Sequence, residues 1–474
     1  MVIRLPFVRQ WLQIACWTLI YGLVWTGIAP VSMTAPAVVY AASSRHEESH
    51  APTIEQLVRE VERLRAELER LQRQLDPERI AELENQIAVL TEEIQRLREA
   101  QAPPIEYRSV YGLGPSASRV YQQTHGVSLA GYGEIEYRNV SDGDKVADAH
   151  RLILYLGYRF SDRVLFNSEV EFEHGTTDEN LDARDGEVAL EFAYLDFLID
   201  PRFNIRAGLM LIPLGMINEI HEPPTFYGVN RPDVELVLIP TTWREVGLGI
   251  FGEFGPHIQY RAYLINGLDA RGISASGIRN ARGSGNRARF HTAAWVGRLD
   301  WLPNPYVQIG VGAYLGRADQ GFRFNDGRPL RVSIRLFEVH TRLEWRGLEA
   351  RALYVYTRIP DAAELNRWKG LTGTQGVGST LTGGYIEAAF NIATLLHARP
   401  EWTVAPFVRW ETYDTHRAVP PGYLRDPVRD WRIWTLGVVL KPVPQVVVKA
   451  DVQFKRNRAN ETRTQWNFGV GFNF

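Results

Sequence analysis

The sequence predicts an all-β fold: a transmembrane antiparallel β-barrel of about 16 strands, preceded by an α-helical coiled coil. Three observations predict this fold. Apolar and polar residues alternate with a period of two through residues 126–474, in segments of roughly 10 to 13 residues. Short and long connections between these segments follow one another in turn. Residues 53–99 instead place an apolar residue alternately every three and four positions, which is the spacing of a coiled coil.

Residues 1–42 have the pattern of a secretory signal peptide. Arg4 and Arg9 precede an apolar stretch over 11–29, and small residues end the segment. A retained membrane-anchor helix is the alternative, because the stretch is long enough to cross a bilayer. The single cysteine of the chain, Cys16, lies in this segment. The sequence therefore predicts neither a disulfide framework nor a cysteine-based metal site in the exported protein.

The helical arm, 53–99, contains two heptad runs that meet at Asp76-Pro77, where an N-cap and a first-turn proline can begin the second helix. An apolar seam of this kind needs a partner helix, so the arm predicts a homo-oligomer. A helix packed on the rest of the chain is the alternative. Residues 100–125 have no periodicity and several Pro, Gly and Ser residues, and are predicted to be a linker. The seam residues are Ile54, Leu57, Val61, Leu64, Leu68, Leu71 and Leu75, then Ile80, Leu83, Ile87, Leu90, Ile94 and Leu97.

The body, 126–474, contains about sixteen alternating segments of membrane-strand length. A tilted strand that crosses a bilayer has about 9–11 residues, whereas strands of soluble domains usually have about 5–6. Lipid offers the backbone no hydrogen-bonding partners, so such a sheet is expected to close on itself. A large soluble β-protein is the alternative. The predicted strands are 127–138, 149–160, 163–174, 187–199, 202–211, 244–254, 258–266, 289–301, 306–317, 332–346, 348–358, 383–393, 402–413, 430–441, 445–456 and 464–474.

Aromatic residues are predicted to form the two interfacial girdles of the barrel, because they lie at strand ends. They are Tyr158, Phe160, Trp301, Tyr306, Trp345, Trp402 and Trp431.

The inward positions of these strands predict a charged pore lining. The predicted lining residues are Glu134, Glu136, Glu169, Glu171, Glu173 and Glu191 on an acidic side, and Arg206, Arg261, Arg298, Arg342, Arg351, Arg409 and Lys449 on a basic side. Opposed acidic and basic walls would create a transverse field in a water-filled pore; mutual pairing of these charges is the alternative.

The long segment 212–243 is predicted to fold into the lumen and narrow it, because a loop of this length in a barrel is usually functional. A surface loop that touches neighbouring subunits is the alternative. The constriction residues would be Glu219, His221, Glu222, Arg231, Asp233 and Glu235.

Several functional classes are disfavoured by composition. Lys and Arg number 53 against 55 Asp and Glu, so no charge excess favours a nucleic-acid partner. No cofactor, metal site or catalytic residue is predicted. Two pairs could be read as a nucleophile beside a base, Ser168 with His174 and Thr341 with His340, but neither has a consistent orienting third group.

The stretch from Asn204 to Gly215, with His221-Glu222-Pro223-Pro224-Thr225-Phe226 and the terminal Phe474, resembles the phosphate-selective porin O and P family over roughly residues 126–474. The resemblance implies a sixteen-stranded trimer with a constriction loop that passes small anionic solutes. The arm is similar to the helical stalk that precedes the barrel in some trimeric porins. A last strand ending in phenylalanine resembles the signal read by the outer-membrane barrel assembly machinery.

The resulting prediction is a porin of the bacterial outer membrane, in contact with its lipid and lipopolysaccharide, with the coiled coil in the periplasm. It would form a water-filled channel for passive diffusion of small hydrophilic solutes. The alternative is a structural barrel whose coiled coil tethers it to the cell wall or to a periplasmic partner.

Overall fold

The computed structural model describes residues 54–72, 77–101, 107–141, 143–175, 186–395 and 402–474. The predicted signal peptide, 1–42, lies outside these residues. The chain divides into two compact units, one ending at Pro103 and one that begins at Pro104 and runs to Phe474. None of the helices in the described ranges is long and apolar enough to cross a membrane.

The N-terminal unit contains two helices, α1 (Ile54–Gln72) and α2 (Pro77–Gln101). They contact each other, and Leu57, Val61 and Leu64 of the predicted apolar seam are buried. The prediction of helices in this arm is thus confirmed, whereas the coiled coil stays a prediction. Because α2 already provides one partner helix within the chain, the oligomer stays a prediction.

The second unit is a closed barrel of sixteen antiparallel strands, as the sequence predicts. Each strand pairs with its sequence neighbours, and β1 pairs with β16 to close the sheet. The strands are β1 Gly126–Val140, β2 Lys145–Arg159, β3 Val164–Glu173, β4 Glu187–Asp200, β5 Phe203–Leu211, β6 Arg244–Phe254, β7 Ile258–Asn266, β8 Ala293–Asn304, β9 Val307–Arg317, β10 Ser333–Trp345, β11 Leu348–Arg358, β12 Thr380–Phe390, β13 Thr403–Ala418, β14 Asp430–Val443, β15 Val446–Asn457 and β16 Thr462–Asn473. Three short α-helices lie among the described residues of this unit: α3 (Arg119–Gln122), α4 (Asp233–Val237) and α5 (Ala362–Lys369).

Short turns gather at one end of the barrel and most of the long loops at the other. We call these the short-turn end and the long-loop end. One of the two-residue turns, Arg346-Gly347 between β10 and β11, has positive φ at both residues, 49° and 86°. This backbone gives the twist that a two-residue hairpin turn needs, and glycine adopts it without a Cβ clash.

The pleat sorts side chains between the two faces of the sheet. In β1, Val127, Leu129 and Ile135 are 68%, 54% and 58% exposed, whereas Glu134 and Glu136 are buried. The outer surface is therefore apolar and the charges point inward, which reverses the arrangement of a soluble protein. Among the predicted girdle aromatics, Tyr158, Phe160, Trp301, Tyr306, Trp345 and Trp402 are exposed on this outer surface or at its edges.

Candidate functional site

The segment 212–243 connects β5 to β6 and lies inside the barrel. Its residues bond to inward-facing side chains from strands around the wall, so it crosses the lumen instead of lying on the surface. The contacts, with their distances, are Glu219–Arg261 of β7 at 2.8 Å, His221–Glu169 of β3 at 3.1 Å, Tyr227–Glu349 of β11 at 2.6 Å, Val229–Asp451 of β15 at 2.7 Å, Val234–Glu411 of β13 at 3.2 Å and Glu222–Asn473 of β16 at 2.6 Å. We call this segment the fold-in loop.

Two buried polar side chains hold the fold-in loop in shape. Both carboxylate oxygens of Glu235 accept from the backbone N–H of Met216, at 3.0 and 3.2 Å, and one accepts from Ile217 N–H at 3.2 Å. Tyr385 of β12 donates its hydroxyl to the same carboxylate at 2.9 Å. Asn218 accepts from Trp243 N–H at 2.6 Å and donates to Trp243 O at 2.9 Å, joining the two ends of the loop.

An apolar core fills the space between the fold-in loop and the wall. Ile212, Leu214, Leu238, Ile239 and Trp243 are fully buried there. Burying side chains of this size on one side of the lumen fixes the loop in one position. The remaining space for solute is correspondingly smaller than in an unobstructed sixteen-stranded barrel.

The β7–β8 connection covers the fold-in loop from the long-loop end. Arg282 donates to Pro240 O at 2.9 Å and to Thr242 O at 2.6 Å. Nearby, Lys369 of α5 donates to Arg271 O at 2.8 Å, and its partial burial lowers the pKa of this ammonium group. Each of these two side chains donates hydrogen bonds to backbone carbonyls of another loop, so the two side chains link the loops to each other.

The prediction of a linker over 100–125 is wrong for residues 107–122, because these residues pack inside the barrel. Leu113, Ala117 and Val120 are buried there. The N–H groups of Ser116 and Ala117 donate to Glu222 of the fold-in loop at 2.8 and 3.2 Å. This segment has too few apolar residues to show a period in the sequence. The wall nevertheless holds its backbone, since Asn167 donates to Ala117 O at 3.0 Å and Arg159 donates to Tyr121 O at 3.1 Å. Residues 107–122 and the fold-in loop together narrow the lumen.

All six predicted lining arginines contact carboxylates. Arg206 bonds Asp196 at 2.8 Å, and Arg261 and Arg298 both bond Asp300 at 2.7 Å. The remaining pairs join Arg409 to Glu387 at 3.2 Å and to Glu411 at 2.8 Å, Arg342 to Glu349 at 3.1 Å and Arg351 to the same carboxylate at 2.5 Å. Lys449 instead donates to Gly228 O of the fold-in loop at 2.8 Å.

The acidic side is balanced in the same way. Arg151 of β2 lies 2.8 Å from Glu134, 3.1 Å from Glu171 and 3.4 Å from Glu173. Glu136 lies 3.2 Å from His150. The contacts therefore favour paired charges over the two separate walls that the sequence suggested.

The constriction residues lie in the fold-in loop and differ in their partners. Asp233 pairs with Lys455 at 2.9 Å. Arg231 donates to Thr242 at 3.4 Å within the loop. Together with Glu219, His221, Glu222 and Glu235, both residues lie inside the barrel, where the sequence places them.

Sequence reasoning missed several residues of this network, above all Asp196. A β-bulge between the β3–β4 pairs Glu169–Phe192 and Val170–Leu190 leaves Glu191 and Phe192 both buried. The bulge switches the inward parity of β4 from odd to even positions, so strict alternation places Asp196 on the wrong face. Asp300, Glu338 and His340 lie at even-numbered positions, like Arg298 and Arg342, which are predicted to face inward on the same strands. Strict alternation could therefore have found all three.

The two pairs considered for catalysis are not brought together. Ser168 donates to Leu156 O at 2.8 Å, and His174 lies 2.9 Å from Asp148. Thr341 is exposed on the outer surface, whereas His340 is buried on the inner one.

Comparisons with known proteins give one relative and a set of similar folds. A protein of Aquifex aeolicus (strain VF5), described as uncharacterized, is 38% identical over 368 residues, which cover 75% of this chain and 82% of the relative. No family model matches the chain, so the resemblance to the phosphate-selective porin O and P family stays a prediction.

Among solved structures, the trimer form of OmpT, an outer membrane protein of Vibrio cholerae, is similar with a TM-score of 0.47 and 10% identity, over 74% of this chain and all of that one. The outer membrane channel DcaP of Acinetobacter baumannii is similar with a TM-score of 0.47 and 11% identity, over 74% of this chain and 98% of that one. The anion-selective porin from Comamonas acidovorans is similar with a TM-score of 0.45 and 11% identity, over 73% of this chain and 99% of that one.

Proposed function

We propose that this chain, which belongs to the same family as the Aquifex aeolicus protein, is a porin of the bacterial outer membrane through which small hydrophilic solutes diffuse passively. One observation carries the proposal: the sheet closes without an edge, with apolar side chains outside and charged side chains inside. A closed sheet is the only β-structure whose backbone is satisfied in lipid. An interior lined by ionised groups is stable when water reaches it.

The interior geometry supports passage of small solutes. A cavity of about 210 Å³ lies between residues 107–115, the fold-in loop and the wall near the short-turn end. In outer-membrane barrels short turns face the periplasm, so this cavity is the periplasmic part of the proposed path. Its size suits ions and small polar molecules, because the fold-in loop and residues 107–122 occupy the adjoining space.

Charge at this cavity supports a preference for anions. Arg342, Arg351 and Lys441 line it together with one carboxylate, Glu349. A second carboxylate, Glu344, pairs with Arg342. Three cations against two carboxylates leave a local positive excess, which raises the local concentration of anionic solutes. The barrel has five lysines in total, at positions 145, 369, 441, 449 and 455. Because so few lysines are available to bind phosphate, we propose small anions as a class, without selectivity for phosphate.

The proposed assembly follows from both units of the chain. The heptad spacing of α1 and α2 supports a homo-oligomer, for which the trimer is the proposal, with these helices in the periplasm. At the long-loop end, the outer surface carries the exposed residues Arg432 and Arg456 beside Trp434. Cations beside an aromatic girdle suit the phosphates of lipopolysaccharide. The strand ending at Phe474 would be read by the barrel assembly machinery.

Planar-bilayer recording of the purified full chain tests the channel. We expect stepwise current, and a reversal potential in a KCl gradient that has the sign for chloride preference. Replacement of Lys441 by Gln should move that potential toward zero. Absence of stepwise current from correctly folded protein would reject the channel, and would favour a structural barrel tethered through its helices.

A further inference from the structure

Three side chains from separate parts of the barrel meet inside the wall. Glu169 belongs to β3, Glu191 to the bulge of β4, and His221 to the fold-in loop. Their side chains are 0%, 1% and 1% exposed. His221 Nε2 lies 3.1 Å from Glu169 Oε1 and 3.2 Å from Glu191 Oε2, and one ligand atom from each residue lies within 4.8 Å of the others. Two carboxylates and an imidazole are thus concentrated where water has little access.

Hydrogen bonding within the described residues accounts for only part of this arrangement, because it joins His221 Nε2 to Glu169 Oε1 and leaves two carboxylate oxygens without a partner. His221 Nδ1 lies 3.0 Å from Asn218 O, so Nδ1 carries a hydrogen and Nε2 faces the two carboxylates. Glu169 Oε2 and Glu191 Oε2 are buried and accept no hydrogen bond from the described residues. Two buried carboxylates and an imidazole nitrogen at such distances need a proton or a metal ion between them, because buried charges must be paired or bound to a metal.

The geometry fits a divalent metal. Ligands that each lie about 2.0–2.1 Å from a tetrahedral zinc ion are separated by about 3.3–3.4 Å, close to the two separations observed. A histidine whose second ring nitrogen donates to a backbone carbonyl is the usual arrangement of a metal ligand. Arg244 bonds Glu191 through Oε1 at 3.2 Å, which leaves Oε2 directed toward the imidazole.

We propose that Glu169, Glu191 and His221 bind one zinc ion, which ties the fold-in loop to strands β3 and β4. The fourth position would be filled by water, as in zinc sites with three protein ligands. Since two ligands come from the wall and one from the loop, the ion would hold the constriction against the wall. This role is independent of which solute passes the barrel.

A second cluster in the lumen provides a matched control. Glu134, Glu136 and His150 also bring two carboxylates and an imidazole together. There, the guanidinium of Arg151 lies 2.8 Å from Glu134 and 2.6 Å from His150 Nε2. Because a fixed cation already occupies that cluster, we expect no metal in it.

Metal analysis of the purified full chain tests the proposal. After equilibration with zinc and removal of excess, we expect one equivalent per chain, with the same content in His150→Ala and loss of the metal in His221→Ala and in Glu191→Gln. Glu191→Gln preserves side-chain volume and must still show the heat-modifiable migration of a folded barrel. Loss of the metal from this variant is then not caused by misfolding. With cobalt in place of zinc, the wild-type chain should show the visible absorption of tetrahedral Co²⁺.

Proteolysis gives a second readout that does not depend on conduction. Chelation of the metal should increase cleavage in the fold-in loop by about tenfold in the wild-type chain, as expected when a bound ion no longer stabilises it, and should leave His221→Ala unchanged. The proposal is overturned if folded wild-type protein retains no zinc, or if His221→Ala retains as much as wild type. Either result would identify a protonated His221 as the cation between the carboxylates. If the chain binds zinc but conducts no current, the proposed porin function is rejected and the proposed zinc site is retained.

Discussion

Removal of the Glu235 carboxylate should release the fold-in loop. In Glu235→Ala, the buried N–H groups of Met216 and Ile217 and the hydroxyl of Tyr385 lose their acceptor. Glu235 is fully buried, with the fully buried Ile239 beside it, so water has little access to replace the carboxylate. The closed position of the loop is therefore destabilised, whereas the strand ladder is not changed.

The magnitude follows from counting donors. Each buried donor left without a partner costs about 1–3 kcal/mol, so three donors give about 3–9 kcal/mol. Since about 1.4 kcal/mol corresponds to a tenfold change in an equilibrium constant, the released fraction should rise by about 100-fold or more. Tyr385→Phe removes a single hydrogen bond and should cost only about 0.5–1.5 kcal/mol. Glu235→Gln, which keeps one acceptor oxygen, should fall between the two.

Single-channel recording and limited proteolysis measure this release. We expect Glu235→Ala to show larger or noisier current steps and faster cleavage within 212–243, in the order Ala, Gln, then the Tyr385 variant. Heat-modifiable migration should stay that of a closed barrel in all three. If Glu235→Ala matches wild type in conductance, noise and cleavage rate, the carboxylate does not hold the loop and the reasoning is refuted.

Three further predictions concern charge, closure and assembly. Arg261→Ala leaves Glu219 and Asp300 without their shared guanidinium, so the reversal potential should shift toward cations; an unchanged potential would show that these groups lie off the solute path. Deletion of Phe474 removes two backbone hydrogen bonds to Gly131, of 3.0 and 2.9 Å, and should lower the yield of folded barrel in the outer membrane; equal yields would exclude a role in assembly. Deletion of 54–101 should convert the oligomer to monomers in native mass spectrometry, while an oligomer that persists would place the interface on the barrel.

The strands were predictable because one face of each is apolar and the other polar, which fixes a period of two. The ends of the strands were less predictable, because pairing with the neighbouring strand determines where a strand begins and ends. The sequence starts β8 at 289, but β8 begins at Ala293, which pairs with Asn266, the last residue of β7. Likewise β12 lies three residues earlier than expected, since Thr380 and Phe390 pair with the two ends of β11.

The interior was predictable only in part, for two physical reasons. The length of 212–243 between regular strands indicated a functional loop, and its charged residues lie inside as expected. The pairing of charges was not visible, because a period of two assigns a face without assigning a neighbour across the lumen. The bulge that redirects Asp196 and the packing of 107–122 depend on contacts between residues distant in sequence, such as the one between Ser116 and Glu222.

The pairing of interior charges predicts how selectivity depends on salt. Paired groups contribute little net field, so the preference for anions should come from the excess cations near the short-turn end. Arg342 there is 36% exposed, hence open to screening by mobile ions. The Debye length falls from about 10 Å at 0.1 M to about 3 Å at 1 M salt, so the anion-to-cation permeability ratio should decline toward unity between these concentrations. A constant ratio would mean that buried groups, which mobile ions do not screen, set the selectivity. The selectivity would then originate in the fold-in loop and not in the cavity at Lys441.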